Sequence, residues 1–469
     1  MLPDVRAIFD AQAANRWAVA QRTTKERVRR LMHLREVIRA RRADLCAAVL
    51  ADYGKHPVET ELTELVPVME ELGLAIRRLH QWTRPRRVST PLTLLGTHSV
   101  VRYEPKGLVL VLAPWNYPFQ LAMTPLIAAV AAGNCVVVRP SGKTPRTSRV
   151  LQELVSTVFP ENEAAVVLGD RTVADALLDL PFDHILFTGS TAVGRKVMAA
   201  AAKHLAPVTL ELGGQSPAIV DETADVETAG ERIAWGKFTN AGQTCVAPDY
   251  ALVQEVIAER FSAAVVGALC RFYGADEAAR LASPDLARLV DQAACSRLDR
   301  AVRATVEAGA RLVVGGSIDA SRRRMSPTVL TGVAADSAIM AEEIFGPVLP
   351  VLTFHAIEDA VAAVRARPKP LALYVFSRSR TNTAALVGGT SAGGTCINQV
   401  LVHLANPHLP FGGVGDSGMG HYHGRYGFEA MSHARAVLTQ RRFSPLRYLF
   451  PPFTARSTRL VALLRRIVG

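Results

Sequence analysis

Aromatic residues make up only 6% of the 469, and Ala, Val and Leu are abundant instead. That balance suits helices packed on buried parallel strands rather than an aromatic-rich core. Cysteine is scarce as well. Cys46, Cys135, Cys245, Cys270, Cys295 and Cys396 form no C-x-x-C, and their spacings support neither a zinc site nor a disulfide framework. A reducing cytoplasm is therefore the expected compartment. No uncharged apolar stretch is long enough to span a bilayer. The opening "MLPDVRAIFDAQ" lacks a basic segment followed by an apolar run, so no secretory leader is expected. Acidic residues are missing from 441 to 469, which hold seven Arg.

What is present points to a large globular chain. Hydrophobic residues account for 49% of it, enough to bury sizeable cores, and the length suggests two or three domains. The formal net charge is +12, and the excess is uneven. Residues 22 to 42 hold nine Lys or Arg against Glu26 and Glu36. Such stripes attract nucleic acid, anionic lipid or phosphorylated ligands, or form a solvated basic surface. No nucleic-acid motif accompanies them, which favours the solvated surface.

Residues 4 to 52 read as helices, with Val28, Leu31, Met32, Leu34, Val37 and Ile38 at helical spacing. Another helix is expected over 58 to 82. The Pro- and Thr-rich stretch "RPRRVSTPLTLLGTHSVVRYEP" reads as an extended excursion, a hairpin arm. Apolar runs then alternate with helical segments: "GLVLVLAPWN", "NCVVVRPSGKTP", "AAVVLG" and "HILFTGS", with helices at 119 to 132, 147 to 158 and 171 to 179. This alternation implies right-handed βαβ units and a parallel sheet covered on both faces. It restarts after "VTLELGGQSPAIV", with helices expected at 226 to 239, 255 to 273 and 285 to 309, and strands at "RLVVGG", "SPTVLTGV", "LALYVF" and "GTCIN". A second α/β domain is expected to start near Leu212. No internal repeat or low-complexity segment is apparent.

Four short motifs carry candidate chemistry. "HILFTGSTAVGRKVM" is strand, Gly turn and helix, and its Gly189 and Gly194 give G-x-x-x-x-G rather than G-x-G-x-x-G. Such a turn can bring backbone N–H groups to a pyrophosphate, or simply connect two elements. "VVVRPSGKTP" ends a strand at the same edge of the inferred sheet. There Arg139, Ser141 and Lys143 meet a ribose or phosphate, or form a solvated turn. "LELGGQSP" places Glu211 at a strand end among apolar residues. Desolvation would raise its pKa toward the range of a general base, and the plainer alternative is an ion pair with a nearby Arg. "FTNAGQTCVAPDY" surrounds Cys245 with small residues. A lone cysteine is more often inert core than nucleophile, and only combination with other groups changes that balance.

The combination is present. "APWNYPF", "FTGSTAVG", "ELGGQSP", "GQTCVAPDY", "EEIFGPV" and "PFGGVGDSGMGHYHG" occur in the order seen in the aldehyde dehydrogenase superfamily. Together they resemble its class 3 branch, which includes fatty-aldehyde and coniferyl-aldehyde dehydrogenases. The resemblance runs from the N-terminal helices to about Val437. It implies that Cys245 is the nucleophile and that Glu211 activates the deacylating water. The Asn116 side-chain amide and the Cys245 backbone N–H would form the oxyanion hole. It further implies cofactor contacts from Trp115, Gly189, Ser190 and Val193, with Glu343 and Phe345 holding the nicotinamide ribose and ring. Tyr117, beside Asn116, would face a hydrophobic substrate, aromatic or long-chain.

The implied fold is α/β: a Rossmann-like parallel-sheet cofactor domain, an α/β catalytic domain and a small β oligomerisation arm. The expected ranges are 1–82 and 103–211, with 416–434 returning, for cofactor binding, and 212–415 for catalysis. The arm would be 83–102 with 435–445, and 446–469 a basic apolar tail. A homodimer is expected. The tail resembles those that cover a substrate entrance or reach membranes; peripheral contact with an anionic surface and packing on the subunit both fit, and packing is preferred.

One departure concerns the coenzyme. The family usually has Lys-Pro-Ser-Glu where this chain has Arg139-Pro140-Ser141-Gly142. That Glu binds the adenosine ribose hydroxyls, and Gly142 cannot. With Arg139 and Lys143 flanking it, NADP is expected to be used alongside NAD. The competing readings are a CoA-acylating relative, a thiol hydrolase pairing Cys245 with a His, and a non-catalytic relative.

Overall fold

The computed structural model describes residues 4–442 and 445–468. In chain order its strands are β1 (Arg86–Val88), β2 (Thr97–Pro105), β3 (Leu108–Leu112), β4 (Cys135–Arg139), β5 (Ala164–Val166), β6 (His184–Gly189), β7 (Val208–Leu212), β8 (Pro217–Val220), β9 (Tyr250–Gln254), β10 (Arg311–Val314), β11 (Ile318–Asp319), β12 (Arg324–Met325), β13 (Thr328–Thr331), β14 (Val348–Phe354), β15 (Ala372–Phe376), β16 (Gly394–Ile397), β17 (Gly418–Met419) and β18 (Ser432–Gln440). They form two large sheets and two small ones. The first large sheet has the order β17-β7-β6-β3-β4-β5, and all its pairings are parallel except β17 with β7. The second runs β10-β13-β14-β9-β8-β15-β16, with only β10 antiparallel. Only Gly213–Ser216 separates β7 of one sheet from β8 of the other.

The uninterrupted apolar runs become inner strands because both faces of each sheet are covered. "LVLVL" of β3 is buried at every position, and so is "ALYVF" of β15. The helix Gln120–Ala132 is likewise buried all round and ends at Gly133, whose φ of 93° closes the helix in a left-handed cap. The N-terminal helices Val5–Ala20, Thr24–Ala40 and Arg42–Tyr53 pack around the first sheet; Leu31, Leu34 and Ile38 join Leu126, Ile127 and Leu151 in one core. Thr23 and Glu26 form a capping box at the start of the second of these helices.

The expected arm is a three-stranded antiparallel sheet, β1-β2-β18, in which β18 pairs with β2 from Ser432↔Pro105 to Gln440↔Thr97. β9 and β14 go beyond the strands expected from the sequence, and both lie in the middle of the second sheet. The helix expected over 285–309 begins only at Gln292, where Asp291 caps it by accepting the Ala294 N–H. The preceding residues are buried as irregular chain. Their N–H groups go elsewhere: Arg288 to the Tyr53 carbonyl, Leu289 to that of Arg323, and Val290 to Gln243 Oε1. Apolar Leu286, Leu289 and Val290 thus imitate a helix face while packing as a loop. At the other end, the helix Ala455–Val468 has its principal contact with the turn Pro445–Leu449, and Phe450 and Phe453 are exposed.

Candidate active site

Cys245 follows a tight turn, Thr239–Gly242, whose backbone is left-handed at Asn240, Ala241 and Gly242. Gly242 is required: a Cβ there would run into the Gly346 carbonyl. Gln243 pins the turn, donating from Nε2 to the carbonyls of Asn240 and Arg288 at 3.0 Å and accepting the Val290 N–H on Oε1 at 2.9 Å. The small residues around Cys245 let these segments close in on one another. They also leave a cavity of about 280 Å³ in front of the sulfur.

Glu211 lines the same cavity. It sits near the end of β7, flanked in register by Thr188 of β6 and Gly418 of β17. The residue is 3% exposed, and neither carboxylate oxygen has a hydrogen-bond partner among the described residues. Burial alone pushes its pKa well above the usual carboxylate range. The ion-pair alternative raised by the sequence is therefore absent. Burial also pushes the Cys245 thiol up to about 12, with Glu343 and Glu211 adding to the shift. The backbone N–H groups of Cys245 and Val246 act in the opposite direction. None of the other five cysteines lines this cavity.

Tyr117 is on the cavity wall, its hydroxyl 2.5 Å from Thr244 Oγ1. Asn116 is buried and is not among the lining residues; its Nδ2 donates to the Gln243 carbonyl, two residues before Cys245, at 3.1 Å. The rest of the wall was not assigned from the sequence: Leu121, Trp235, Leu401, Phe411, Tyr422 and His423 among others. The last three stand in "PFGGVGDSGMGHYHG", a motif that resembles the family as a whole without giving any of the three a role. His423 is the histidine that the sequence around Cys245 lacks. It stacks on Phe411 at 5.1 Å, and burial lowers its pKa to about 4, so it is a neutral imidazole.

A second group of residues gathers near the ends of β4 and β6. Ser190 is the N-cap of the helix Thr191–Ala202, and its side chain makes no capping bond, so its hydroxyl and the N–H groups of Thr191 and Ala192 are the ones available to an anion, those of Val193 and Gly194 donating to the Ser190 carbonyl. Gly189 and Gly194 both allow close packing, since a Cβ at either would strike Phe187 or Leu212. Val193 is half-exposed on the first turn. Glu343 lies against Gly213, where a Cβ would collide with its carboxylate. Burial, with Asp249 nearby, raises Glu343 to about 8, opposed by the Gly214 N–H and Lys237. Phe345 meets Trp115 edge-to-face at 5.4 Å.

The basic turn is less open than its sequence suggests. Arg139 Nη2 donates to the carbonyls of Gly169 and Asp170 at 3.0 and 2.8 Å. Lys143 Nζ is 2.8 Å from Asp291 Oδ2 and lies over the Trp115 ring. Both side chains thus have protein partners, which the sequence does not show. Ser141 is buried and accepts the Lys143 N–H; Gly142 is exposed, and a Cβ there would be 3.3 Å from the Gly169 carbonyl.

Comparison with known proteins gives this geometry its setting. The aldehyde dehydrogenase family model matches residues 4–437. The 4,4'-diaponeurosporen-aldehyde dehydrogenase of Staphylococcus aureus is 45% identical over 412 residues, 88% of each chain. A probable coniferyl aldehyde dehydrogenase of Pseudomonas aeruginosa is 41% identical over 97% of this chain and 95% of its own. Among solved structures, the substrate-bound state of Staphylococcus aureus AldH matches with a TM-score of 0.93 at 41% identity, covering 99% of this chain and all of the other. PnpE in complex with nicotinamide adenine dinucleotide matches with a TM-score of 0.85 at 26% identity, over 94% of this chain and 90% of the other.

Proposed function

This chain belongs to the aldehyde dehydrogenase family and uses NAD or NADP, and from that premise we propose that it oxidises a hydrophobic aldehyde to the carboxylic acid through a thioester on Cys245. The aldehyde is aromatic or medium- to long-chain aliphatic. The observation that carries this reading is the pairing of Cys245 with an unpartnered Glu211 in one small, mostly apolar cavity. Tyr117, Leu121, Trp235, Leu401 and Phe411 suit an apolar substrate body.

The residues divide the work as follows. The Cys245 thiol gives up its proton to solvent as sulfur attacks the aldehyde carbon. The Cys245 N–H and the second hydrogen of Asn116 Nδ2 stabilise the thiohemiacetal oxygen. A nicotinamide held beside Trp115 and Phe345 would supply the hydride acceptor for that carbon. Glu211 then deprotonates the water that hydrolyses the thioester, releasing the acid and the free thiol. Burial without a partner suits Glu211 to take the proton of that water and pass it to the leaving thiolate, since no ion pair holds its proton affinity down.

The second group of residues fits a dinucleotide. Ser190 and the helix N-terminus would hold the pyrophosphate, with Gly189 and Val193 beside it. Glu343 would accept from the nicotinamide ribose, and Trp115 and Phe345 would border the ring. The turn of Arg139, Ser141, Gly142 and Lys143 would meet the adenosine side. In this reading the first large sheet with its helices (1–82, 103–211 and 416–434) is the cofactor domain and 212–415 the catalytic domain. The β1-β2-β18 sheet, with exposed residues along β1 and most of β18, joins two copies into a homodimer. No described helix is long and apolar enough to cross a membrane. The tail, with exposed Phe450 and Phe453 beside Arg447, Arg456 and Arg459, is suited to peripheral contact with anionic lipid, in a chain that otherwise works in the cytoplasm.

A panel of aldehydes from acetaldehyde to long-chain and cinnamyl types, run with NAD and NADP, tests the reading. Coenzyme reduction should be fastest with the hydrophobic members. Preference for acetaldehyde would contradict the substrate class. Turnover of thioesters or amides without any coenzyme reduction would favour a Cys245–His423 hydrolase instead.

A further inference from the structure

Between Tyr53 and Glu64 lies a cluster of buried polar groups that the reaction above does not use. Lys55 and Glu64 are both fully buried, with Nζ and Oε1 2.9 Å apart. Stability alone is a weak reason to keep such a pair, because an apolar pair of similar size usually serves as well. Its contacts give a better one. Glu64 Oε2 accepts the N–H groups of Phe119 and Gln120 at 2.8 and 3.3 Å, where the helix Gln120–Ala132 starts without a cap side chain of its own. Lys55 Nζ reaches the Asn116 carbonyl at 3.4 Å and lies 4.1 Å over the Tyr117 ring. The same carbonyl accepts Tyr53 Oη at 2.6 Å and Asn240 Nδ2 at 3.0 Å.

We infer that the Lys55–Glu64 pair, with Tyr53, is a positioning device that fixes Asn116 as the oxyanion donor of Cys245. The inference rests on the role given to Asn116 above. Three donors hold the Asn116 carbonyl, and Glu64 anchors the chain three and four residues later. The Asn116 peptide therefore cannot rotate, and Nδ2 is aimed with one hydrogen on the Gln243 carbonyl and the other free. The backbone is built for this. Glu61–Leu65 is a π-helical turn within the helical run Pro57–Trp82, a form frequent at functional sites. It turns Glu64 fully inward and leaves Leu62, two residues earlier, 63% exposed.

A double-mutant cycle separates positioning from plain structural support. The readout is the first-turnover rate of NAD(P)H formation with a saturating hydrophobic aldehyde, measured for Asn116→Ala, Lys55→Met and both together. Lys55→Met should slow this step about 10²-fold in the wild-type background, comparable to losing an oxyanion donor. In the Asn116→Ala background it should change the rate less than about twofold, because the donor it positions is already gone. Tyr53→Phe removes a single hydroxyl and should give the same non-additive pattern with about a fivefold loss. It carries the test if Lys55→Met does not fold. Losses that multiply in the double variants would overturn the inference while leaving the role of Asn116 intact. A normal first turnover in Asn116→Ala would overturn both.

Discussion

At Cys245 the neighbouring carboxyl group is left without a hydrogen bond, whereas at the turn after β4 the charged groups are engaged. Glu211 has two buried oxygens without a bond. Arg139 is held by the carbonyls of Gly169 and Asp170, and Lys143 by Asp291. Leaving a buried carboxylate unpaired costs folding free energy, so a protein keeps one where a proton must move. Engaging Arg139 and Lys143 with protein groups makes the turn a structural joint first. Lys143 ties the first sheet's turn to Asp291, which itself caps the helix Gln292–Glu307. The contrast separates chemistry at one place from recognition at the other, and variants can break it at either.

The largest effect is expected at the nucleophile. Cys245→Ala should abolish aldehyde oxidation, and alanine at each of the other five cysteines should leave it within about twofold, as steady-state kinetics would show. Retained turnover in Cys245→Ala would remove the covalent mechanism. Next comes the coenzyme turn. Arg139→Ala should lower kcat/KM for NAD and NADP alike, because the guanidinium holds the Gly169–Asp170 turn and is not free for a 2′-phosphate. Gly142→Glu should raise the NAD to NADP ratio about tenfold by supplying an acceptor for the ribose and repelling the phosphate. An Arg139→Ala loss confined to NADP would show that the turn opens on binding.

Glu343 supplies a pH test. Burial holds its acid form until about pH 8. Only the carboxylate accepts twice from ribose hydroxyls, so KM for the coenzyme should fall as pH rises from 7 to 9. Glu343→Gln should flatten that dependence. The smallest effect is expected at the tail. Truncation after Tyr448 should leave small aldehydes unaffected and weaken binding to anionic liposomes; unchanged liposome binding would leave the tail without a lipid role.

Much of this molecule is legible in its sequence, for physical reasons. Parallel strands buried on both faces are favoured as continuous apolar runs, and β3, β4 and β6 stand out for that reason. The resemblance named Cys245 and Glu211, and both lie on one cavity. Less was legible where partners come from far along the chain. Nothing near Cys245 announces Tyr422 or His423, which β17 and the following helix bring to the cavity. Nothing in "RPSGKTP" reveals that Arg139 and Lys143 already have partners, since Asp170 and Asp291 meet them only after folding. The stretch before Gln292 deceived by its apolar spacing, because its N–H groups bond to Tyr53, Arg323 and Gln243 instead of to each other.

The most direct test of the account is the fate of the acyl group when the base is removed. Glu211→Gln, mixed with one coenzyme and a hydrophobic aldehyde such as decanal, should give a burst of about one NAD(P)H per active site and then stall. Intact mass should show one acyl group on the protein, mapped to Cys245 by peptide analysis. Steady turnover at the wild-type rate, with no acyl-enzyme and no burst, would contradict the account.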